Sequence, residues 1–346
     1  MHIFGQSPHH YVPMKTFFDK VMEDQPCSQQ YWAWHHPEQV EHLDFHYYAN
    51  SVELMSLMKS APVTTRFVFH GFFDRSLWPK LLLSNLSKHC IWICWGHDIY
   101  QHHTKGRPLK LKLMHFIHRL LVKRLVNCCA LNAGDSELIK ATLRTSNVDV
   151  LPYPLIGSNI ERNVQGNDRP QTILLGNSAS PNNNHIEALS WLSGFAEENI
   201  KIIAPLNYAG PVEYVQQVIE CGNALFGDKF DPITQMLQKE EYDRLIASCD
   251  IVVFAHDRQQ GLYVVYSAFK QGQKIFIRSN TSSFKSLNKF GFNLFASEKI
   301  AEMEYSEFIN SNLQDAQNNQ ELMERTFSEK ALIPQWQQAL QQLLDV

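Results

Sequence analysis

Short apolar runs, each closed by glycine, proline or a small polar residue and followed by a stretch of helical period, recur along the whole chain. Met1 to Gly5, Arg66 to His70, Ile91 to Trp95, Asn127 to Leu131 and Val148 to Leu151 read as strands in the first half. Ile173 to Leu175, Lys201 to Ala204, a short piece near Ala224–Phe226, Asp250 to Ala255, Gln273 to Ile277 and Phe292 to Phe295 do so in the second. Helical patterns lie between them, at about Met14–Met22, after Gly71 through Leu86, Gly106–Val126, from about Asn184, Pro211–Gly222, Lys239–Ala247 and after Gly261 through Lys270. Alternation of this kind predicts an α/β protein with parallel sheets. A polar stretch containing Gly and Pro, 156–170, divides it as a linker, giving two Rossmann-like domains, 1–155 and 171–325, that face a cleft. Trp336, Leu340, Leu343 and Leu344 have helical spacing, so 326–346 is expected to be a helix that packs back across the molecule. No repeat of solenoid period is apparent.

Thr172 to Leu189, T-I-L-L-G-N-S-A-S-P-N-N-N-H-I-E-A-L, carries the clearest chemical signal. It reads strand, tight loop, helix. Gly176 lets the backbone turn and approach a ligand, Asn177 and Ser178 add donors, and the positive end of the following helix lies behind. A phosphate-bearing ligand fits such a loop; so does an ordinary β–α turn. At other strand ends stand His9 and His10 after the first strand, His70 before Gly71, Asp98 within Trp95-Gly96-His97-Asp98-Ile99-Tyr100, Tyr208, and Arg258-Gln259-Gln260-Gly261. Ligands of open α/β sheets bind at those ends. The guanidinium of Arg258 offers a donor fork to a diphosphate. His70 and Asp98 form an acid/base pair, or else a backbone-bonded histidine and a helix cap.

Composition removes several classes. The chain has 346 residues with 44% hydrophobic content, enough for two cores. A net charge of −4 argues against nucleic-acid binding. Seven cysteines without a CxxC pair suggest reduced, buried thiols and a cytoplasmic setting. No run reaches transmembrane length. Neither GxGxxG after the first strand nor GxxxxGK[ST] occurs, which weakens dinucleotide oxidoreductase and P-loop readings and leaves a nucleotide-sugar transferase. Sixteen histidines suggest a metal, yet no closely spaced ligand set appears; D-x-D is absent too, so no metal and no cofactor is expected. Charge is uneven: from Ile99 to Gly134 there is no Asp or Glu, while Lys105, Arg107, Lys110, Lys112, Arg119, Lys123 and Arg124 fall inside. With Leu109, Leu113, Phe116, Ile117, Leu120 and Leu121 on one side, this basic helix suits an anionic membrane surface, or is a solvated face.

F-V-F-H-G with Leu77-Trp78, W-G-H-D-I-Y, the basic helix, G-N-S with downstream N-x-H-I at Asn183 to Ile186, and R-Q-Q-G occur in this order. Together they resemble glycosyltransferase family 56 over essentially the whole chain. Its known member transfers 4-acetamido-4,6-dideoxygalactose from the dTDP sugar to lipid II of enterobacterial common antigen, an undecaprenyl-diphosphate-linked saccharide. The resemblance implies a GT-B-type fold, a cytoplasmic location and peripheral attachment to the inner face of the bacterial inner membrane. It implies a metal-independent donor side of Gly176, Asn177, Ser178, His185, Tyr208, Arg258, Gln259, Gln260 and Gly261. On the acceptor side it implies His9, His10, Gly71, Trp95 and Gly96, with Asp98 as first and His70 as second choice of base. Two departures stand out. Ala179, Ser180 and Pro181 follow Gly-Asn-Ser where the enterobacterial enzymes have an acidic and a basic residue, and His97 replaces a small residue. Another dTDP- or UDP-linked deoxy-amino sugar for O-antigen or capsule, a non-catalytic sugar-binding protein, and a two-Rossmann nucleotide-sugar epimerase are the alternatives.

Overall fold

The computed structural model describes residues 1–5, 8–35, 44–103, 108–156, 160, 162 and 169–345, with the side chains of 8–10 excepted. Two compact units emerge, Met1–Ile156 with Glu329–Val346, and Gly157–Ser328. Most of the stretch expected as a linker lies outside the described residues.

The first unit runs β1 (His2–Phe4), α1 (Pro8–Val21), β2 (Tyr31–Trp34), β3 (His46–Tyr48), α2 (Ser51–Ser60), β4 (Phe67–His70), α3 (Leu77–Leu82), β5 (Cys90–Cys94), α4 (His97–Tyr100), α5 (Leu109–Val122), β6 (Asn127–Ala130), α6 (Ala133–Leu143) and β7 (Val148–Val150). Its seven strands are all parallel, in the order β3-β2-β1-β4-β5-β6-β7. β4 and β5 are buried along their whole length, as parallel strands covered on both faces must be.

The second unit runs β8 (Gln171–Leu175), α7 (His185–Leu192), β9 (Ile200–Pro205), α8 (Val212–Phe226), β10 (Phe230–Ile233), α9 (Lys239–Ser248), β11 (Ile251–Phe254), α10 (Leu262–Lys270), β12 (Lys274–Ile277), α11 (Ser282–Phe290), β13 (Phe295–Ala296), α12 (Tyr305–Ile309) and α13 (Leu313–Phe327). Its six strands repeat the same parallel order, β10-β9-β8-β11-β12-β13. In both sheets the winding reverses beside the first strand, between β1 and β4 and between β8 and β11. The ends of those strands are where an open α/β sheet leaves a ligand crevice. The chain then returns to the first unit through α14 (Glu329–Leu344). Trp336 of α14 is buried, stacks on Tyr153 at 5.5 Å and donates its indole N–H to the Pro152 carbonyl.

The structure corrects several elements. Ala224–Phe226 is the last turn of α8, not a strand, and the strand is β10. Gly222 does not end the helix; a Cβ there would lie 2.4 Å from the Phe230 ring, so glycine serves close packing of α8 on β10. α1 begins at Pro8 and tolerates Pro13, β2, β3 and α2 had no counterpart among the expected elements, and Phe292 is a buried loop residue before the two-residue β13. The apolar positions of α5 do not form one side. His118, Leu121 and Val122 are buried, whereas Leu109, Leu113, Phe116 and Leu120 are exposed. All seven cysteines are free thiols, five of them buried. No helix among the described residues is long and apolar enough to cross a membrane.

Candidate functional site

In the second unit, the ends of β8, β9 and β11 are held by one network of side-chain amides. Gly176 closes β8 with a φ of +69° and donates its N–H to Val253 of β11 at 3.0 Å. A Cβ there would fall 2.7 Å from His185 Nε2 and 3.0 Å from Asn183 Oδ1, so only glycine lets the loop sit so close. Asn183 is the hub. Its Oδ1 accepts from the Asn177 amide (3.3 Å) and His256 Nε2 (2.8 Å), and its Nδ2 donates to the carbonyls of Ser178 and Ser180 and to Ser178 Oγ. Asn177 Nδ2 donates to Tyr208 Oη at 3.3 Å while its Oδ1 accepts from Gln260 Nε2 at 3.2 Å. Gly261, at φ +67°, lets the second loop close on the first, since a Cβ would meet Asn177 Oδ1 at 3.2 Å. Asn184, left-handed at φ +50°, donates to the Ala255 carbonyl and Asp257, both at 2.8 Å, and α7 starts at His185.

The same region keeps buried polar atoms without partners. His185 is fully buried with Nε2 unmatched, and so are Oε1 of Gln259 and Oε1 of Gln260. The Tyr214 hydroxyl accepts from the His185 backbone N–H at 3.2 Å and lies 3.1 Å from Nδ1, to which it can give its own proton. The imidazole proton then sits on Nε2, pointing at the Gly176 turn. Burial lowers the pKa of His185 to about 4, so the ring is neutral near pH 7. His256 is lowered to about 3, by burial first and then by His185, Arg258 and Arg278, which also marks the loop as electropositive. An enclosed donor with no acceptor costs about 1–3 kcal/mol, and a bound oxyanion would supply the missing acceptor. Thus Gly176, Asn177, Ser178, His185, Tyr208, Gln259, Gln260 and Gly261 form one cluster, with Arg258, half-buried, on the same loop. Asn183, His256 and Tyr214 were missed as partners; the Asn182-Asn183-Asn184 run beside a strand-end histidine was the available signal.

The strand ends of the first unit are different. Asp98 is fully buried, and its carboxylate accepts four bonds, from the Phe72 N–H (3.1 Å), Trp92 Nε1 (2.7 Å), Cys94 Sγ (3.1 Å) and the Trp95 N–H (3.1 Å). Burial, the largest influence, raises its pKa, and these bonds pull the other way. His70 is also fully enclosed. Gln29 Nε2 donates to the Phe18 carbonyl, so its Oε1 must accept from His2 Nε2 at 2.9 Å; His2 Nδ1 then accepts from His70 Nε2 at 3.0 Å. Trp95 Nε1 donates to Tyr153 Oη at 3.1 Å, and that hydroxyl donates to His70 Nδ1 at 2.6 Å. Burial and the neighbouring His2 hold His70 well below its ordinary pKa, so it is neutral and both nitrogens are occupied. Asp98 and His70, expected as first and second choice of base at a strand tip, are thus both enclosed and bonded within the protein. Their bonds instead position the loops after β4 and β5, including Gly71 (φ +84°), Trp95 and Gly96 (φ +91°). The side chains of His9 and His10 lie outside the described residues. No three His, Cys, Asp or Glu side chains among the described residues are grouped so as to hold a metal ion.

Residues 1–344 match the family described as 4-alpha-L-fucosyltransferase, glycosyl transferase group 56. Among solved structures, sucrose-phosphate synthase from Thermosynechococcus elongatus superposes with a TM-score of 0.75 at 9% identity, over 100% of this chain and 99% of that one. WaaG, a glycosyltransferase involved in lipopolysaccharide biosynthesis, gives 0.70 at 11% identity over 98% and 99%. HepE of Anabaena, solved with UDP-glucose, gives 0.71 at 12% identity over 98% and 99%. At such identities the likeness concerns the fold, which is GT-B.

Proposed function

Since the chain belongs to glycosyltransferase group 56, we propose that the transfer it catalyses moves a 4-acetamido-4,6-dideoxy-hexose from a dTDP-sugar to an undecaprenyl-diphosphate-linked saccharide. This would serve bacterial surface polysaccharide synthesis, with the protein peripheral on the cytoplasmic face of the inner membrane. The family description names a fucosyl donor, itself a 6-deoxy sugar, and WaaG works in lipopolysaccharide biosynthesis. The observation that carries the donor half is the enclosed, unmatched His185 Nε2 beside the Gly176 turn at the start of α7. A diphosphate seated there meets the Ser178 amide, the His185 Nε2–H and the Arg258 guanidinium, so fixed dipoles neutralise the leaving group, while the Gly176 and Asn177 N–H groups, given to Val253 and Asn183, hold the turn in shape. The unmatched Oε1 atoms of Gln259 and Gln260 are acceptors and suit hydroxyl groups of the donor sugar, not its phosphates. Asp98 and His70 act by holding the acceptor-side loops.

The test is a thermal-shift screen of dTDP, UDP and their sugars, followed by transfer to a lipid-linked acceptor with and without EDTA. A ligand at 100 times its dissociation constant stabilises by roughly 2.7 kcal/mol. Stabilisation by dTDP over UDP and activity in EDTA are expected. Interconversion of the nucleotide sugar without acceptor would identify an epimerase instead, and a strict need for a divalent cation would remove the dipole-only account of the leaving group.

A further inference from the structure

The outward side of α5 is unlike any other helix surface described. Leu109 is 81% exposed, Leu113 56%, Phe116 54% and Leu120 39%. At about 100° per residue these four fall within an arc of about 60°. The opposite side of the same helix is occupied: His118 stacks on Trp78 of α3 at 4.1 Å, and Leu121 and Val122 are buried. The exposed ridge is thus a second apolar face, not the edge of the first. On the same wheel Lys112, Arg119 and Lys123 line one flank and Lys110 stands on the other. None of these four takes part in an ion pair among the described residues. Past the helix end the Arg124 guanidinium bonds to the Leu82 carbonyl, and the next residue, Leu83, is 87% exposed.

We propose that this face docks on an anionic lipid bilayer, with Leu109, Leu113, Phe116 and Leu120 entering the interface and Lys112, Arg119 and Lys123 meeting lipid phosphates. Contiguous apolar surface on a soluble unit marks an interaction site. Charge selects the occupant. A second copy would bring two acid-free cationic faces together, and protein interface cores are depleted in lysine. A basic helix with an apolar ridge instead lies in the plane of a membrane interface, drawn by anionic headgroups. The inference draws its purpose from the lipid-linked acceptor proposed above.

Flotation of the full chain with vesicles of mixed phosphatidylglycerol and phosphatidylcholine, against phosphatidylcholine alone, tests it. The wild type should float with the anionic vesicles and be released by salt. Lys112→Gln/Arg119→Gln/Lys123→Gln should weaken binding about a hundredfold, and Leu113→Gln/Phe116→Gln at least about tenfold. Phe116→Trp should show a blue-shifted emission quenched by brominated lipid. Because Lys112, Leu113, Phe116 and Lys123 are exposed and Arg119 is only half-buried, thermal unfolding and nucleotide binding should not change. Binding by the Leu113/Phe116 variant equal to wild type, no quenching, or an oligomer that this variant dissolves would each overturn the proposal. Should no donor be transferred while flotation behaves as stated, the docking face stands and the reaction falls; flotation failing beside intact transfer does the reverse.

Discussion

The two units share a sheet order and a glycine of positive φ at the strand end beside the reversal, Gly71 at +84° and Gly176 at +69°, yet treat the polar groups at these strand ends in opposite ways. In the first unit every acceptor of Asp98 and both nitrogens of His70 are engaged within the protein. In the second, His185 Nε2 and the Oε1 atoms of Gln259 and Gln260 are enclosed without a partner. A saturated buried network rigidifies and specifies the fold, whereas an unsaturated one stores a cost of about 1–3 kcal/mol per group until something binds. Buried polarity at a strand end is therefore not by itself a sign of chemistry. At these two strand ends the scaffold and the candidate site differ in whether the bonds close.

The contrast breaks most sharply at Asp98. We predict that Asp98→Ala strands two backbone N–H groups and an indole N–H in a dry interior and lowers unfolding free energy by at least about 3 kcal/mol. Urea unfolding, with its slope unchanged, measures this; a loss within about 0.5 kcal/mol would mean that the carboxylate does not organise the loops. Gly176→Ala should act on the other side of the comparison. Its Cβ would press on His185 Nε2 at 2.7 Å from a left-handed backbone, so dTDP affinity should fall at least about a hundredfold, roughly 2.7 kcal/mol by calorimetry. Unchanged affinity would remove the Gly176 turn from the donor site.

Legibility in the sequence followed the same line. Strand runs such as Ile91–Trp95 and Asp250–Ala255 were readable because parallel strands are apolar throughout, and β5 and β11 fall within a residue of them. Ala224–Phe226 misled because Gly222 looks like a helix stop, while its packing against Phe230 exists only in three dimensions. The Gly176 loop was legible since glycine, asparagine and serine after a strand carry their own chemistry. Burial of His70 and Asp98 was not, because their partners His2, Tyr153 and Trp92 reach them from other strands and loops. The double face of α5 was hidden for a related reason: periodicity marks apolar positions but not which of them a neighbouring helix covers.

Smaller effects sharpen the comparison. Arg258→Ala should weaken nucleotide binding about ten- to a hundredfold, the worth of a charge-assisted bond, and shift the melting temperature little; equal affinity would free that loop of a phosphate role. Acid should act on both units. His185 and His256 have pKa values lowered to about 4 and about 3, and His2 and His70 lie well below the ordinary 6.5. Below pH 6.5 the unfolded chain binds more protons than the folded one, so stability is full above that value and lost as pH falls toward 4. Unfolding free energy measured from pH 8 to 4.5 should decline only in the acid half, and a flat profile would refute the neutral, buried imidazoles.

The finest distinction lies between two tyrosines that do the same thing in the two units. Tyr153 gives its hydroxyl proton to His70 at 2.6 Å, and Tyr214 lies 3.1 Å from His185 Nδ1. Tyr153→Phe removes one link of a closed chain, so it should cost on the order of 1 kcal/mol of stability and leave nucleotide affinity alone. Tyr214→Phe releases the Nδ1 lone pair, so the imidazole proton is no longer confined to Nε2 and the donor aimed at the Gly176 turn is present only part of the time. Here nucleotide affinity should fall, by about two- to fivefold, or on the order of 0.5–1 kcal/mol. Nitrogen chemical shifts of the His185 ring should report the proton on Nε2 in the wild type and a mixture of tautomers in the variant. If both substitutions lower stability alone, or if the wild-type proton is found on Nδ1, the unmatched nitrogen is an acceptor rather than a donor, and the His185 side chain cannot serve a diphosphate.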